Sequence, residues 1–254
     1  MSFFTREDRP TIVGMLKSGT VSDLLKEIEK IKDQGVDAIG FQIEMLEPSQ
    51  RTEENFKKIF AAIGDKPSYV TNYIRCNPLN LTDEELTEEL LLAASCGATL
   101  LDIRGDLYDR SPCEFTENSE AVKKQKELIK KIKEMGAQVL MSSHVLKYIP
   151  KEQVLKIALE QEARGADIVK IVTEANSEAE LSETFKATLM LKEKLKVPSL
   201  FLCNGTHCRK HRILGPTLGT DLFLVTENSN VGLAQPTISE AKQILCLAGY
   251  KNLP

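Results

Sequence analysis

Short apolar runs alternate with amphipathic stretches from one end of the chain to the other, and the alternation repeats eight times. The apolar runs are strand-length, and the stretches between them carry apolar residues at helical spacing. Strands are expected at Thr11–Leu16, Ala38–Leu46, Tyr69–Arg75, Thr99–Gly105, Gln138–His144, Ala166–Thr173, Pro198–Cys203 and Asp221–Thr226. Helices are expected at Val21–Gln34, Thr52–Ile63, Asp83–Cys96, Ser119–Met135, Lys151–Arg164, Glu178–Leu195, a short basic Arg209–Leu214, and Ser239–Leu247. In the first helix Leu24, Leu25, Ile28 and Ile31 share one face, with Ser22 or Thr20 as its cap. Gly136 closes the fourth.

Eight strand–helix units in 254 residues, with no linker between them, predict α/β architecture as one (β/α)8 TIM barrel spanning 1–254. An open doubly wound sheet would carry a glycine-rich dinucleotide loop after its first strand, and Lys17-Ser18-Gly19-Thr20 does not have that spacing.

In a barrel the chemistry belongs at the C-terminal ends of the strands, where this chain is unusually polar. Strand two brings Gln42 and Glu44, strand three Arg75, and strand four Asp102 and Arg104. Strand five brings Ser142 and His144, strand six Lys170, and strand seven Asn204. Lys170 stands out because it interrupts the apolar run Ile168-Val169-Lys170-Ile171-Val172. A lysine held away from water tends to lose its proton, and the free amine is a nucleophile towards carbonyls. His144 closes the neighbouring strand and would put a general acid/base beside that amine.

Composition narrows the partners. The net charge of -4, without long runs of one sign, gives no nucleic-acid groove and no anionic-membrane surface. No run approaches the roughly 20 apolar residues of a membrane span, and the first ten residues have no signal-peptide core, so a cytoplasmic location is expected. Six scattered cysteines read as free thiols. Cys203, His207, Cys208 and His211 crowd together after strand seven but match no standard zinc spacing, so neither a metal nor a cofactor is expected.

The Ser-Ser-His144 and Ala-Asp-Ile-Val-Lys170-Ile segments resemble the type I 3-dehydroquinate dehydratase family of the shikimate pathway, which feeds aromatic amino acid biosynthesis. The resemblance covers nearly the whole chain: Arg75, Asp102, Arg212 and Gln235 also fall where members carry an arginine, an aspartate, a substrate-carboxylate arginine and a glutamine. It implies a Schiff-base lyase in which Lys170 and His144 are catalytic. The substrate, 3-dehydroquinate or a related cyclic β-hydroxy ketone carboxylate, would meet Arg212, Gln235, Arg75, Gln42, Glu44, Arg104 and Asn204. The resemblance also implies a homodimer, for which the Leu86, Leu90, Leu91 and Leu92 face of the third helix is a candidate.

Five departures fall on the pocket. Gln42-Ile43-Glu44 replaces Glu-x-Arg, and Leu79-Asn80-Leu81 replaces the Glu-Gly-Gly whose glutamate helps hold the histidine. Leu202-Cys203-Asn204 replaces Met-Ser-Met, Val231-Gly232-Leu233-Ala234-Gln235 replaces Ser-Ala-Pro-Gly-Gln, and Arg104 stands where an acid is expected. Glu44 and Arg104 are therefore expected to form a swapped ion pair across the barrel, and Ser142, Asn72 or Glu44 to orient His144 in place of the missing glutamate. An imine-based aldolase or isomerase, and a ligand-binding pseudo-enzyme, remain alternatives on the same apparatus.

Overall fold

The computed structural model of the protein describes residues 4–74, 79–227 and 234–254. Arg75 and the Val231–Leu233 stretch discussed above lie outside the described residues. Eight parallel strands form the sheet β7-β6-β5-β4-β3-β2-β1-β8, with helices between them, a nearly closed (β/α)8 barrel. The strands are β1 (Thr11–Leu16), β2 (Ala38–Gln42), β3 (Ser68–Thr71), β4 (Leu100–Arg104), β5 (Gln138–His144), β6 (Ile168–Glu174), β7 (Ser199–Asn204) and β8 (Leu222–Val225). The helices are α1 (Val21–Asp33), α2 (Glu53–Ile63), α3 (Asp83–Ser95), α4 (Ser119–Glu134), α5 (Lys151–Arg164), α6 (Glu178–Lys194), α7 (Cys208–Leu218) and α8 (Ile238–Leu247).

A short polar device at the bottom of the barrel sets its register. Each even strand is preceded by an oxygen-bearing side chain that accepts the N–H at the start of the odd strand before it. Asp37 takes Ile12 N–H at 2.9 Å, Thr99 takes Ser68 N–H at 2.7 Å, Asp167 takes Val139 N–H at 2.9 Å and Asp221 takes Ser199 N–H at 2.8 Å. Asp221 also closes the seam, because its own N–H donates to the Ser199 carbonyl at 2.8 Å where β7 and β8 lack a ladder. These bonds satisfy amides that would otherwise be buried without partners.

The period-two alternation of each strand then decides what faces inward. Val13, Ala38, Tyr69, Leu100, Leu140, Ile168, Leu200 and Leu222 fill the interior together, with Phe4 among them. Their outward neighbours, such as Ile39, Leu101, Val139 and Phe223, pack under the helices. Side chains of the first helix, Leu24, Ile28 and Ile31, are fully buried there, each contributing about 1.5–3 kcal/mol of burial. Thr20 is the cap, its hydroxyl accepting Asp23 N–H at 3.2 Å, and Gly136 follows α4 in the left-handed conformation at φ 88°.

Three expectations need correction. β2 stops at Gln42, and Ile43–Met45 coil into a single 3-10 turn that takes Glu44 out of strand alternation. β3 stops at Thr71 rather than running to Arg75. α7 runs on to Leu218 through Pro216, which has no N–H to donate into the helix. Gly215 allows this turn to lie against His211, whose ring would sit 3.4 Å from an added Cβ. Leu86 and Leu90 are buried within the chain's own fold and Leu91 and Leu92 pack against its core, so the barrel itself uses that face of α3. No helix among the described residues is long and apolar enough to cross a membrane.

Candidate active site

At the C-terminal end of the barrel the inward positions turn polar and enclose a cavity of about 290 Å³. Its lining includes Lys17, Gln42, Tyr69, Thr71, Tyr73, His144, Lys170, Asn204, Arg212, Thr226 and Gln235. Gly40 makes room beneath it: an added Cβ would meet the Met15 sulfur at 2.2 Å and Tyr69 at 3.3 Å. A larger hollow of about 650 Å³ lies at the opposite end of the barrel. Its arginines are already paired, Arg6 with Asp8 and Arg9 with Asp37, so the chemistry belongs to the smaller one.

Lys170 sits in β6 between Ser142 of β5 and Leu200 of β7 and is 4% exposed. The sequence reading left it a lone buried amine, whereas the structure gives it a full set of partners. Its Nζ lies 3.1 Å from Asp102 Oδ2, 3.0 Å from Tyr69 Oη and in hydrogen-bond contact with Tyr73 Oη. Both phenols also donate to Asp102 Oδ2, Tyr69 at 2.5 Å. Three acceptors around one nitrogen match the three donors of an ammonium. Burial, and then the Asp102 charge, hold both phenols well above the usual tyrosine range, so each keeps its proton and acts as donor to the carboxylate. A buried pair of this kind is strong only because its remaining hydrogen bonds are made.

His144, the last residue of β5, is oriented by a group the sequence reading missed. Its Nδ1 is 2.6 Å from Glu114 Oε2, and its backbone N–H donates to the same oxygen at 3.0 Å. That fixes the proton on Nδ1 and leaves Nε2 as the basic nitrogen. Burial, followed by the Lys170 charge, lowers the His144 pKa, against the opposing pull of Glu114. The ring stays neutral at pH 7 as a result. Tyr73 packs edge-on against it at 4.9 Å between centroids.

Glu114 belongs to the loop between β4 and α4 and is held rigidly. Its carbonyl accepts the Ser143 hydroxyl at 2.7 Å, the next residue bridges Gly105, and the Arg164 guanidinium covers Phe115 at 4.5 Å. Its backbone is left-handed, φ 46°, a strained setting for a side-chain-bearing residue that this loop maintains. None of the three proposed substitutes orients His144. Ser142 Oγ has no hydrogen-bond partner among the described residues, Asn72 donates to Leu86 O and Glu89, and Glu44 accepts from Thr71 and Gln42. The available signal was position alone: the β4 loop overhangs β5, and Glu114 is one of the acids it carries, with Asp106, Asp109 and Glu117.

Glu114→Gln is expected to lower kcat about 10-fold, since an amide can still hold Nδ1 but cannot stabilise the imidazolium. It also removes a group that raises the His144 pKa, so the acid limb of the rate profile should move to lower pH. A pH profile with an unmoved limb would contradict this role.

Arg212 reaches the cavity from α7. Its Nε donates to Cys203 O at 3.1 Å, and its two terminal nitrogens donate to Gln235 Oε1 at 2.8 Å and Asn204 Oδ1 at 2.9 Å. All three partners are neutral, and no Asp or Glu among the described residues lines the cavity. The guanidinium charge therefore has no carboxylate to meet it until a ligand supplies one. Gln42 also lines the cavity, with its Nε2 on Glu44 at 2.8 Å and its Oε1 without a hydrogen-bond partner among the described residues.

The swapped ion pair does not form. Glu44, 3% exposed, hangs from the 3-10 turn onto Thr71 at 3.0 Å, and burial raises its pKa. Arg104 is captured by Asp83 and Asp106, each at 3.0 Å. Neither residue lines the cavity, so the structure withdraws both from the substrate positions expected of them. The thiols and imidazoles after β7 also separate. Cys203 is buried behind the strand, His207 caps α7, and His211 lies between Phe185 and Phe201 with Nε2 on Thr188. Burial drives the His211 pKa down to about 3, so it is a neutral core residue.

Fold and cavity together define a (β/α)8 barrel of the lysine-bearing kind, with a histidine, a lysine and an uncompensated arginine at one mouth. The model of the family described as type I 3-dehydroquinase matches residues 14–252, and the chain belongs to that family. A 3-dehydroquinate dehydratase of Geobacillus sp. (strain WCH70) is 26% identical over 248 residues, 94% of this chain and 90% of the relative. One of Clostridium novyi (strain NT) is 24% identical over 244 residues, 94% of this chain and 92% of the relative. The fold is shared with the type I 3-dehydroquinate dehydratase of Clostridium difficile, solved with a covalently modified comenic acid. That match has TM-score 0.82 at 18% identity and covers 96% of this chain and 94% of that one. The Enterococcus faecalis 3-dehydroquinate dehydratase superposes with TM-score 0.79 at 19% identity, covering 97% of each chain.

Proposed function

We propose that this chain is a carbon–oxygen lyase that dehydrates 3-dehydroquinate to 3-dehydroshikimate through an imine on Lys170. The observation that carries the reading is the convergence of Lys170, a Glu114-held His144 and an unneutralised Arg212 on one cavity. The Lys170 amine adds to the substrate ketone and water leaves, giving an iminium that acidifies the adjacent C–H. His144 Nε2 removes that proton, and the resulting imidazolium is stabilised by Glu114. The same imidazolium then gives its proton to the β-hydroxyl, which departs as water. Hydrolysis of the unsaturated iminium releases the enone and returns the amine. No external cofactor enters this balance. Arg212, with Gln235 and Asn204 beside it, receives the substrate carboxylate, while Gln42, Thr71 and Lys17 face the ring hydroxyls.

The pseudo-enzyme alternative was motivated by Leu79, Val231 and Glu44; for the orienting glutamate that Leu79 displaces, Glu114 at 2.6 Å from Nδ1 supplies a carboxylate from a different loop. A cytoplasmic homodimer remains part of the proposal on the strength of family resemblance, and sedimentation velocity tests the dimer.

The expected result is a rise in enone absorbance on adding 3-dehydroquinate, with a substrate-derived mass gain on Lys170 after borohydride reduction. Arg212→Ala is expected to raise KM by roughly 10- to 100-fold, the loss of a charge-assisted pair of about 1.5–3 kcal/mol, with a smaller change in kcat. No turnover and no adduct from 3-dehydroquinate would overturn the reading.

A further inference from the structure

From the Lys170–Tyr73–Asp102 contacts at the cavity wall, we infer that Tyr73 is a catalytic residue that carries protons between Asp102, the Lys170 nitrogen and the substrate oxygen during imine formation. The inference deepens the reading above and rests on it for the identity of the substrate. Its starting point is a problem set by the site: an ammonium ringed by three acceptors cannot attack a ketone. One proton must leave the nitrogen, and it must return later to expel water. Asp102 is the natural store, but its side chain is fully buried and does not line the cavity. His144 lines the cavity, but the Lys170 ammonium donates to Asp102, Tyr69 and Tyr73, and the imidazole serves the later C–H step.

Tyr73 meets both requirements. Its hydroxyl touches Lys170 Nζ and Asp102 Oδ2 at once, and its ring lies in the cavity wall against His144. Tyr69 makes the same two contacts and also borders the cavity, but it is completely buried within β3 among the interior side chains, whereas Tyr73 is part-exposed at the mouth. Asp102 Oδ1 has no hydrogen-bond partner among the described residues, so the carboxyl has room for an added proton.

The steps balance as follows. An Nζ proton passes to Tyr73 Oη as the phenol proton passes to Asp102, leaving a neutral amine, a neutral phenol and a neutral carboxylic acid. The amine forms the N–C bond and the carbonyl electron pair moves to oxygen. Tyr73 then gives its proton to that alkoxide and takes one from the nitrogen, producing the carbinolamine. Finally the proton stored on Asp102 moves through Tyr73 to the carbinolamine hydroxyl. Water leaves, the nitrogen lone pair closes the C=N bond, and the iminium faces a restored carboxylate. The net change is ammonium plus ketone to iminium plus water, with charge conserved.

The test measures the rate of Lys170 modification by mass spectrometry after timed reduction, in wild type and Tyr73→Phe. Two carbonyl probes are used: 3-dehydroquinate with borohydride, and propionaldehyde with cyanoborohydride. Loss of the proton carrier is expected to slow modification by about 100-fold with both probes, the lower end of general acid–base contributions. Equal rates in the two proteins would overturn the role. Modification of the wild type by the aldehyde but not by 3-dehydroquinate would instead remove the substrate assignment, and the relay is then read on the aldehyde alone. Should the phenylalanine variant fold poorly, 3-fluorotyrosine placed at 73 keeps ring and hydroxyl but makes the phenol more acidic. The basic limb of the modification rate should then shift to lower pH, which a structural role would not cause, and an unmoved limb would overturn the proposal.

Discussion

Lys170→Met is expected to abolish borohydride-trapped adducts and to lower turnover of 3-dehydroquinate by about 10⁴-fold or more, because the other lysine lining the cavity, Lys17, is solvent-exposed and does not replace the buried nucleophile. The same change leaves Asp102 as a buried carboxylate without its cation. Breaking a buried pair in this way costs about 3–5 kcal/mol, an upper figure here because Tyr69 and Tyr73 still donate to the carboxylate. The double variant Lys170→Met with Asp102→Asn should recover much of that stability while remaining inactive. Denaturant titration of the two proteins beside a trapping assay separates the roles. A Lys170→Met protein that still forms a reducible adduct would end the imine mechanism.

The second large effect is expected at His144. His144→Ala should lower kcat by about 10²- to 10⁴-fold, the usual contribution of a positioned acid/base, while the Lys170 adduct is still trapped. Imine formation depends on the lysine cluster, and only proton abstraction and loss of the β-hydroxyl require Nε2. The pH dependence has a definite sign. Because burial and the Lys170 charge lower the His144 pKa, the neutral base predominates above that lowered value and is lost as pH falls through it. Activity should therefore stay level downward through pH 7 and begin to fall only below the ordinary histidine value of 6.5. An acid limb centred above 6.5 would show that Glu114 dominates over burial, contrary to the geometry.

The barrel was legible in the sequence because its two signals are local. Strand and helix periods depend on residues a few positions apart, and the interior alternation that points Lys170, Asp102 and Gln42 inward follows from a period of two along single strands. The resemblance carried Lys170, His144, Arg212 and Gln235 to one mouth by their order along the chain, and Asn204 came with them as the last inward position of β7. Glu44 and Arg104 were misread for a reason of the same kind. Alternation was extended past Gln42, where the chain coils into a 3-10 turn, and Arg104 was paired across the barrel when two carboxylates stood closer, Asp83 at the start of α3 and Asp106 beyond the strand.

The sequence by itself determined the eight-unit barrel and the inward lysine, since both are consequences of spacing within a single element. The partners of that lysine, and the carboxylate that holds the histidine, were decided only by the tertiary structure. Tyr69, Tyr73 and Asp102 come from two different strands and the turn beyond one of them, and Glu114 arrives from a loop thirty positions before the residue it orients. Side chains that distant in sequence meet because ring closure brings strand ends and loops to one opening, and spacing along the chain does not encode which of them will touch.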